Sequence, residues 1–118
     1  MSIDVIPALA AKALDGLWVR QAATAQNIAN AGADRYTPVR VSFEETLRQA
    51  WGNARVSNDV GSITALVPRM VEDTSIGLDT VRLDREIASA SETSACFAML
   101  TGMVSRMHQL DDMAVKGG

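Results

Sequence analysis

The last third of the chain sets the hardest constraint on any fold. From Thr80 to Lys116, Leu83, Ile87, Ala90, Ser94, Phe97, Thr101, Val104, His108, Asp111 and Val115 follow alternating steps of four and three. A second stripe of Leu100, Met103, Met107, Leu110 and Ala114 runs beside the first. Such spacing predicts one continuous helix. Asp79 or Thr80 can cap its start, Asp84 and Glu86 suit the positive end of its dipole, and Lys116 suits the negative end. At 1.5 Å per residue the helix would reach about 50 Å, longer than so short a chain can cover.

A second helix is predicted over residues 7–31, where Ile6, Ala10, Ala13, Leu17, Thr24 and Ile28 recur at helical spacing. Pro7 fits a first turn, and Gly32 fits the left-handed position that ends a helix. The chain thus divides into an N-terminal helix (residues 1–31), a middle segment (32–79) and a C-terminal helix (80–118). The expected fold is mainly α: two long terminal helices packed as an antiparallel coiled-coil hairpin, with a short helix and an irregular or small β segment between them.

The middle segment is punctuated by Gly32, Pro38, Gly61, Pro68 and Gly77. Within it, residues 42–51 predict a short helix, because Ser42 and Glu45 match a capping box and Phe43, Leu47 and Trp51 lie four apart. Ser62–Val67, bounded by Gly61 and Pro68, has the β-prone composition of a small hairpin.

Charge placement bears on what covers the helices. Gln21 to Ala33 carry no charge, and Ala88 to Ser105 carry only Glu92, whereas a surface helix of a soluble monomer keeps one charged face. Two accounts fit: mutual burial in a hairpin covered by the middle segment, or burial against other chains. Alanines along both helices permit close approach, and Met99, Met103, Met107 and Met113 can adapt to several neighbours. With two Phe, one Tyr and two Trp in 118 residues, a thick core is not expected.

The same composition narrows the chemistry. A net charge of -3 gives no footprint for nucleic acid or an anionic membrane. One cysteine, Cys96, excludes an intrachain disulfide and multi-cysteine zinc sites. Cys96 and His108 lie about 18 Å apart along one predicted helix and cannot meet in it. His108 with Asp111 and Asp112 has helical ligand spacing, but without a further histidine or cysteine it reads as a solvated face. Glu44 and Glu45 are adjacent and diverge by about 100° on a helix, so they form no acid and base pair. Neither a phosphate-binding loop nor a Gly-x-Ser-x-Gly elbow is present. An enzyme, a cofactor and a small-molecule substrate are therefore not expected. Asp4 and Pro7 do not suit a secretory signal, and no window reaches the apolar length of a membrane span.

The run ALDGLWVRQAATAQNIANAGADRYTPVRVSFEETLRQA resembles the N-terminal motif of bacterial flagellar basal-body rod proteins, in which a helix closes on Asn-Ile-Ala-Asn-Ala before a Tyr-containing turn. LDTVRLDREIASASETSACFAML, continuing to the terminal VKGG, is similar to that family's C-terminal motif, in the short proximal-rod protein B type. The resemblance covers roughly residues 9 to 50 and 78 to 118. It implies a structural subunit of the proximal rod of the bacterial flagellum basal body, transmitting torque from motor to hook and exported by the type III apparatus without a cleaved signal. Its implied partners are itself and other rod proteins, with the membrane-embedded basal ring and export gate at the rod base. The implied subunit interface takes in Leu17, Asn27, Ile28, Asn30, Tyr36, Leu83, Ile87, Phe97, Leu100 and Val104. The family has Thr-Pro-Gly-Tyr where this chain has Ala33-Asp34-Arg35-Tyr36, and arginine adopts glycine's positive φ only at a cost. The alternative is a soluble helical-hairpin adaptor or flagellar export chaperone.

Overall fold

The structure, a computed structural model, describes residues 5–74 and 81–117. In chain order it contains α1 (Val5–Ala29), β1 (Val39–Val41), α2 (Glu44–Ser57), α3 (Gly61–Thr64), β2 (Met70–Glu72) and α4 (Leu83–Gly117). The two long helices run antiparallel: Gln21 of α1 bonds Ala90 and Ser94 of α4, and Asn27 bonds Glu86. The molecule is a flat slab of 61 × 27 × 14 Å. Its length follows from α4, whose 35 residues rise about 52 Å. Pro7 sits in the first turn of α1, where a missing N–H costs no helical bond. The expected caps of α4 at Asp79 and Thr80 lie outside the described residues.

The middle segment differs from its sequence reading in three ways. First, Ser42 caps nothing. The α2 helix starts at Glu44 with Phe43 at its N-cap, no side chain caps it, and the Phe43 amide donates to the Glu44 carboxylate at 3.3 Å. Burial of the Phe43 ring, which lies over Gly16 of α1, fixes this start. Any Cβ at Gly16 would fall deep inside van der Waals contact with three ring carbons, so glycine is what lets the ring reach the α1 backbone. Arg20 lies over the ring, its guanidinium 4.9 Å from the ring centroid, and pairs with Glu44. Burial pushes the Glu44 carboxyl up, but the Arg20 bond and backbone bonds outweigh it and hold the group below its ordinary range.

Second, α2 continues to Ser57, past Trp51, and ends on Asn58 at φ 58° with its amide bonded to the Ala54 carbonyl at 2.7 Å. Asparagine tolerates this left-handed cap. Third, Ser62–Val67 is not a hairpin. Its first half is the single turn α3, whose Ile63 is fully buried with Val5, Ala50 and Ala54. Lys12 of α1 donates to the Leu66 carbonyl at 2.7 Å and holds the following chain against α1. The strands are instead β1 and β2, paired antiparallel in the register Val39↔Glu72, Arg40↔Val71, Val41↔Met70. Val39 and Val41 turn inward, and Arg40 outward, as a two-residue period requires.

The core is two small clusters on α1. One joins Leu17 and Ala23 to Val39, Val41 and Phe43; the other joins Val5 to Ala50, Ala54 and Ile63. Leu47 touches both. The α4 helix adds only half-buried Cys96 and Leu100, and its two buried residues, Glu86 and Thr93, are polar.

Candidate functional site

Asn27 is fully buried, and its amide is saturated from within the chain. Its Nδ2 donates to the Val39 carbonyl at 2.9 Å and to Glu86 Oε2 at 3.1 Å. Its Oδ1 accepts from the Val39 amide at 2.8 Å and from the Tyr36 hydroxyl at 2.7 Å. The other Glu86 oxygen meets Arg40 at 2.8 Å. One side chain thus performs the work of a strand, pairing with both backbone groups of Val39, while tying down the starts of β1 and α4. Burial raises the Tyr36 hydroxyl pKa above its ordinary value, with the Glu86 charge adding to it, against a Gln26 hydrogen bond and the Arg40 charge.

Asn30, three residues on, does something different. Its amide donates to the Gln26 carbonyl of its own helix at 2.8 Å, and α1 has already ended at Ala29. Gly32 has no positive φ; the left-handed residue of this turn is Arg35, at φ 59°. The backbone geometry that glycine would adopt freely is therefore kept with arginine in its place, at the cost of local strain.

A cleft of about 550 Å³ adjoins this knot, lined by Arg20, Arg40, Arg82, Arg85, Asp73 and Glu86, among others. Arg40 engages both of its acids, reaching Asp73 at 3.5 Å, while Arg82 pairs with Asp84 and Arg20 with Glu44. A salt-bridged cleft of this kind joins β1 to α4. Nearer the start of α1, with Arg20 lining both, lies an open apolar groove of about 590 Å³, floored by Leu9, Ala13 and Leu17 and walled by Phe43, by Leu47 and Trp51 of α2 and by Leu100, Met103, Val104 and Met107 of α4.

The line of α4 that faces α1 is Glu86, Thr93, Cys96, Leu100, Val104 and Met107, which takes Val104 from the first stripe read from the sequence and Leu100 and Met107 from the second. Both flanks stay open. Leu83 and Ile87 lie on one side, 47% and 58% exposed, with Phe97 at 37%. Met99, Met103, Leu110 and Met113 lie on the other, each more than half exposed. From His108 to Gly117 every described residue is exposed.

The expected interface residues therefore separate into two groups. Leu17, Asn27, Tyr36 and Leu100 are engaged inside the fold: Leu17 in the first cluster, Leu100 against it, and Asn27 with Tyr36 in the polar knot. Within a single chain these four find their contacts inside the fold. Ile28, Leu83, Ile87 and Phe97 are exposed, Asn30 is half-buried in its own helix end, and half-buried Val104 lines the groove. Trp18, 69% exposed, extends the open apolar surface and was not among the expected residues. The knot partners Arg40 and Glu86 left no periodic trace: Arg40 is a single charge among Pro38, Val39 and Val41, and Glu86 ends the charged run Asp84-Arg85-Glu86, where it reads only as suiting the helix dipole.

His108, Asp111 and Asp112 are exposed and Cys96 is half-buried. Among the described residues no group of three or more His, Cys, Asp or Glu side chains could hold a metal ion, and no helix is long and apolar enough to cross a membrane. In comparison with known proteins, the chain matches no family model and no curated protein.

Proposed function

We propose that the chain is a structural subunit of the proximal rod of the bacterial flagellum, built into the assembly through its terminal helices. The reading rests on the rod-protein resemblance at both ends of the sequence. The observation that supports it is α4, which is open on both flanks of the line that packs on α1, with large apolar residues along each. A helix that completes its surface only between neighbours has this pattern, whereas monomers rarely expose apolar patches this continuous. The open groove between α2 and α4 supplies a further surface for a packed helix. Partners in this reading are other copies of the chain and other rod proteins, with the basal ring and export gate at the rod base.

The test is detection of the chain in purified basal bodies, with loss of motility on deletion; particles that lack it would end the reading. Ile87→Ser makes the test local. Ile87 is exposed, so the isolated chain should keep its stability to within about 0.5 kcal/mol. Rod assembly should nonetheless fall, and normal rods in that variant would remove this flank from the interface. A helical-hairpin adaptor would instead leave basal bodies without the chain.

A further inference from the structure

We propose that the outer edge of β2 pairs antiparallel with the same strand of a second copy, joining two small sheets into one. The inference comes from the two edges of the sheet, which are finished differently. The free edge of β1 is closed within the chain: both backbone groups of Val39 bond Asn27, and the Val41 carbonyl accepts from Arg20. The other edge is β2, whose residues are all exposed, with Val71 at 63%.

The ladder fixes where the backbone groups of β2 point. Asp73 donates to the Pro38 carbonyl at 2.8 Å, so this is a hydrogen-bonded pair, and antiparallel alternation makes Arg40 and Val71 the next one. The amides and carbonyls of Met70 and Glu72 therefore point away from β1. Open backbone groups at this spacing are a template for another strand.

The sequence selects which strand. About a two-fold axis at Val71, Met70 of each copy lies opposite Glu72 of the other, and each such pair can exchange both of its outward bonds. The same axis sets Val71 against Val71 and Arg69 opposite Asp73. Arg69 is exposed and in no ion pair among the described residues, and opposite charges across strands attract. Other registers are poorer. Centring on Met70 would face Glu72 with Pro68, which has no N–H, and centring on Glu72 would face acid with acid. A parallel arrangement would set Arg69 beside Arg69. So short a strand makes a small and weak contact. A two-fold contact closes on itself and does not propagate along a rod, so it belongs to the free chain and stands or falls separately from the rod reading.

The test places a thiol on the axis. In the full chain carrying Cys96→Ser, Val71→Cys would put two α-carbons about 4.5 Å apart, within disulfide reach. Val67→Cys in the same background is the control: Val67 is as exposed, at 62%, yet this register holds its two copies about 25 Å apart. In a glutathione redox buffer, with rates normalised to alkylation of each thiol, Val71→Cys should form linked dimers about tenfold faster than the control. Adding Arg69→Glu, which sets like charges opposite, should return the rate to that of the control. Met70→Pro should do the same, since it removes an outward N–H and leaves the ladder to β1 in place. Circular dichroism checks that each variant is folded, and Arg69→Glu decides the matter alone where the proline variant is not. Equal rates at positions 67 and 71 would overturn the proposal, as would a fast link at 71 that Arg69→Glu leaves unchanged.

Discussion

Asn27 Nδ2 donates to Glu86 Oε2 at 3.1 Å, joining the last turn of α1 to the first turn of α4. Removing the amide takes the hydrogen-bond partner from the Val39 amide and from one Glu86 oxygen at once, and weakens the bonding of the Val39 carbonyl and the Tyr36 hydroxyl, which keep Arg40 and Gln26. Asn27→Ala should cost about 3 kcal/mol, since unsatisfied buried polar groups carry their full desolvation penalty. Asn30→Ala, which loses one exposed bond within its own helix, should change stability by less than about 0.5 kcal/mol. Urea unfolding of the two single variants measures the contrast; equal effects would contradict the knot.

Gly16→Ala tests the close approach of Phe43. Alanine in a helix interior gains about 1 kcal/mol over glycine. Here the added methyl would overlap the buried ring, so the ring must move and open its cluster. The net effect should be a loss of about 1 to 3 kcal/mol, in the range of overpacked cores. A rise in the melting temperature of this variant would show that the ring adapts without cost.

Arg35→Gly acts in the opposite direction. Arg35 holds φ 59° in an exposed turn, and glycine adopts that region freely. Relief of strain should exceed the added freedom of the unfolded chain, raising stability by up to about 1 kcal/mol. Thermal unfolding would reveal it, and a destabilised variant would mean that the arginine side chain holds the turn in another way.

Tyr36 is the chain's only tyrosine, so phenolate absorbance reports it alone. Its raised pKa means that the folded state holds the phenol proton more firmly than the unfolded state does. The stability this represents is fully present below the unfolded value of about 10 and is lost as pH rises through the folded value. The phenol should therefore ionise later in the folded protein than in urea, and the melting temperature should fall above about pH 10. Coincident titration curves would place the hydroxyl in open solvent.

How far the sequence revealed this fold depends on what kind of signal each element carries. Both terminal helices were legible because periodicity sums over many residues, and Phe43, Leu47 and Trp51 were legible because four-residue spacing repeats. The face of α4 that meets α1 was not: apolar residues stand on three sides of that helix, and the line that packs contains Glu86 and Thr93. The strands were misplaced to Ser62–Val67 because β composition there serves Ile63, which is buried in a helical turn. Val39–Val41 becomes a strand through tertiary pairing with β2 and through Asn27, neither of which leaves a local mark. The Asn27 and Asn30 pair was visible, but identical residue types in one motif conceal two unlike jobs.

The polar composition of the α1–α4 seam bears on alignment. A seam of interchangeable apolar residues tolerates sliding by a whole heptad, since every knob finds another hole. Here the Asn27 amide and the Arg40 guanidinium both require a carboxylate at one level of α4, and Glu86 supplies it. Slipping the helix by seven residues in one direction brings up Thr93, whose hydroxyl cannot neutralise Arg40. Glu86 therefore works as an index mark that fixes where a long and otherwise forgiving helix begins, so that its free end projects by the same amount in every copy.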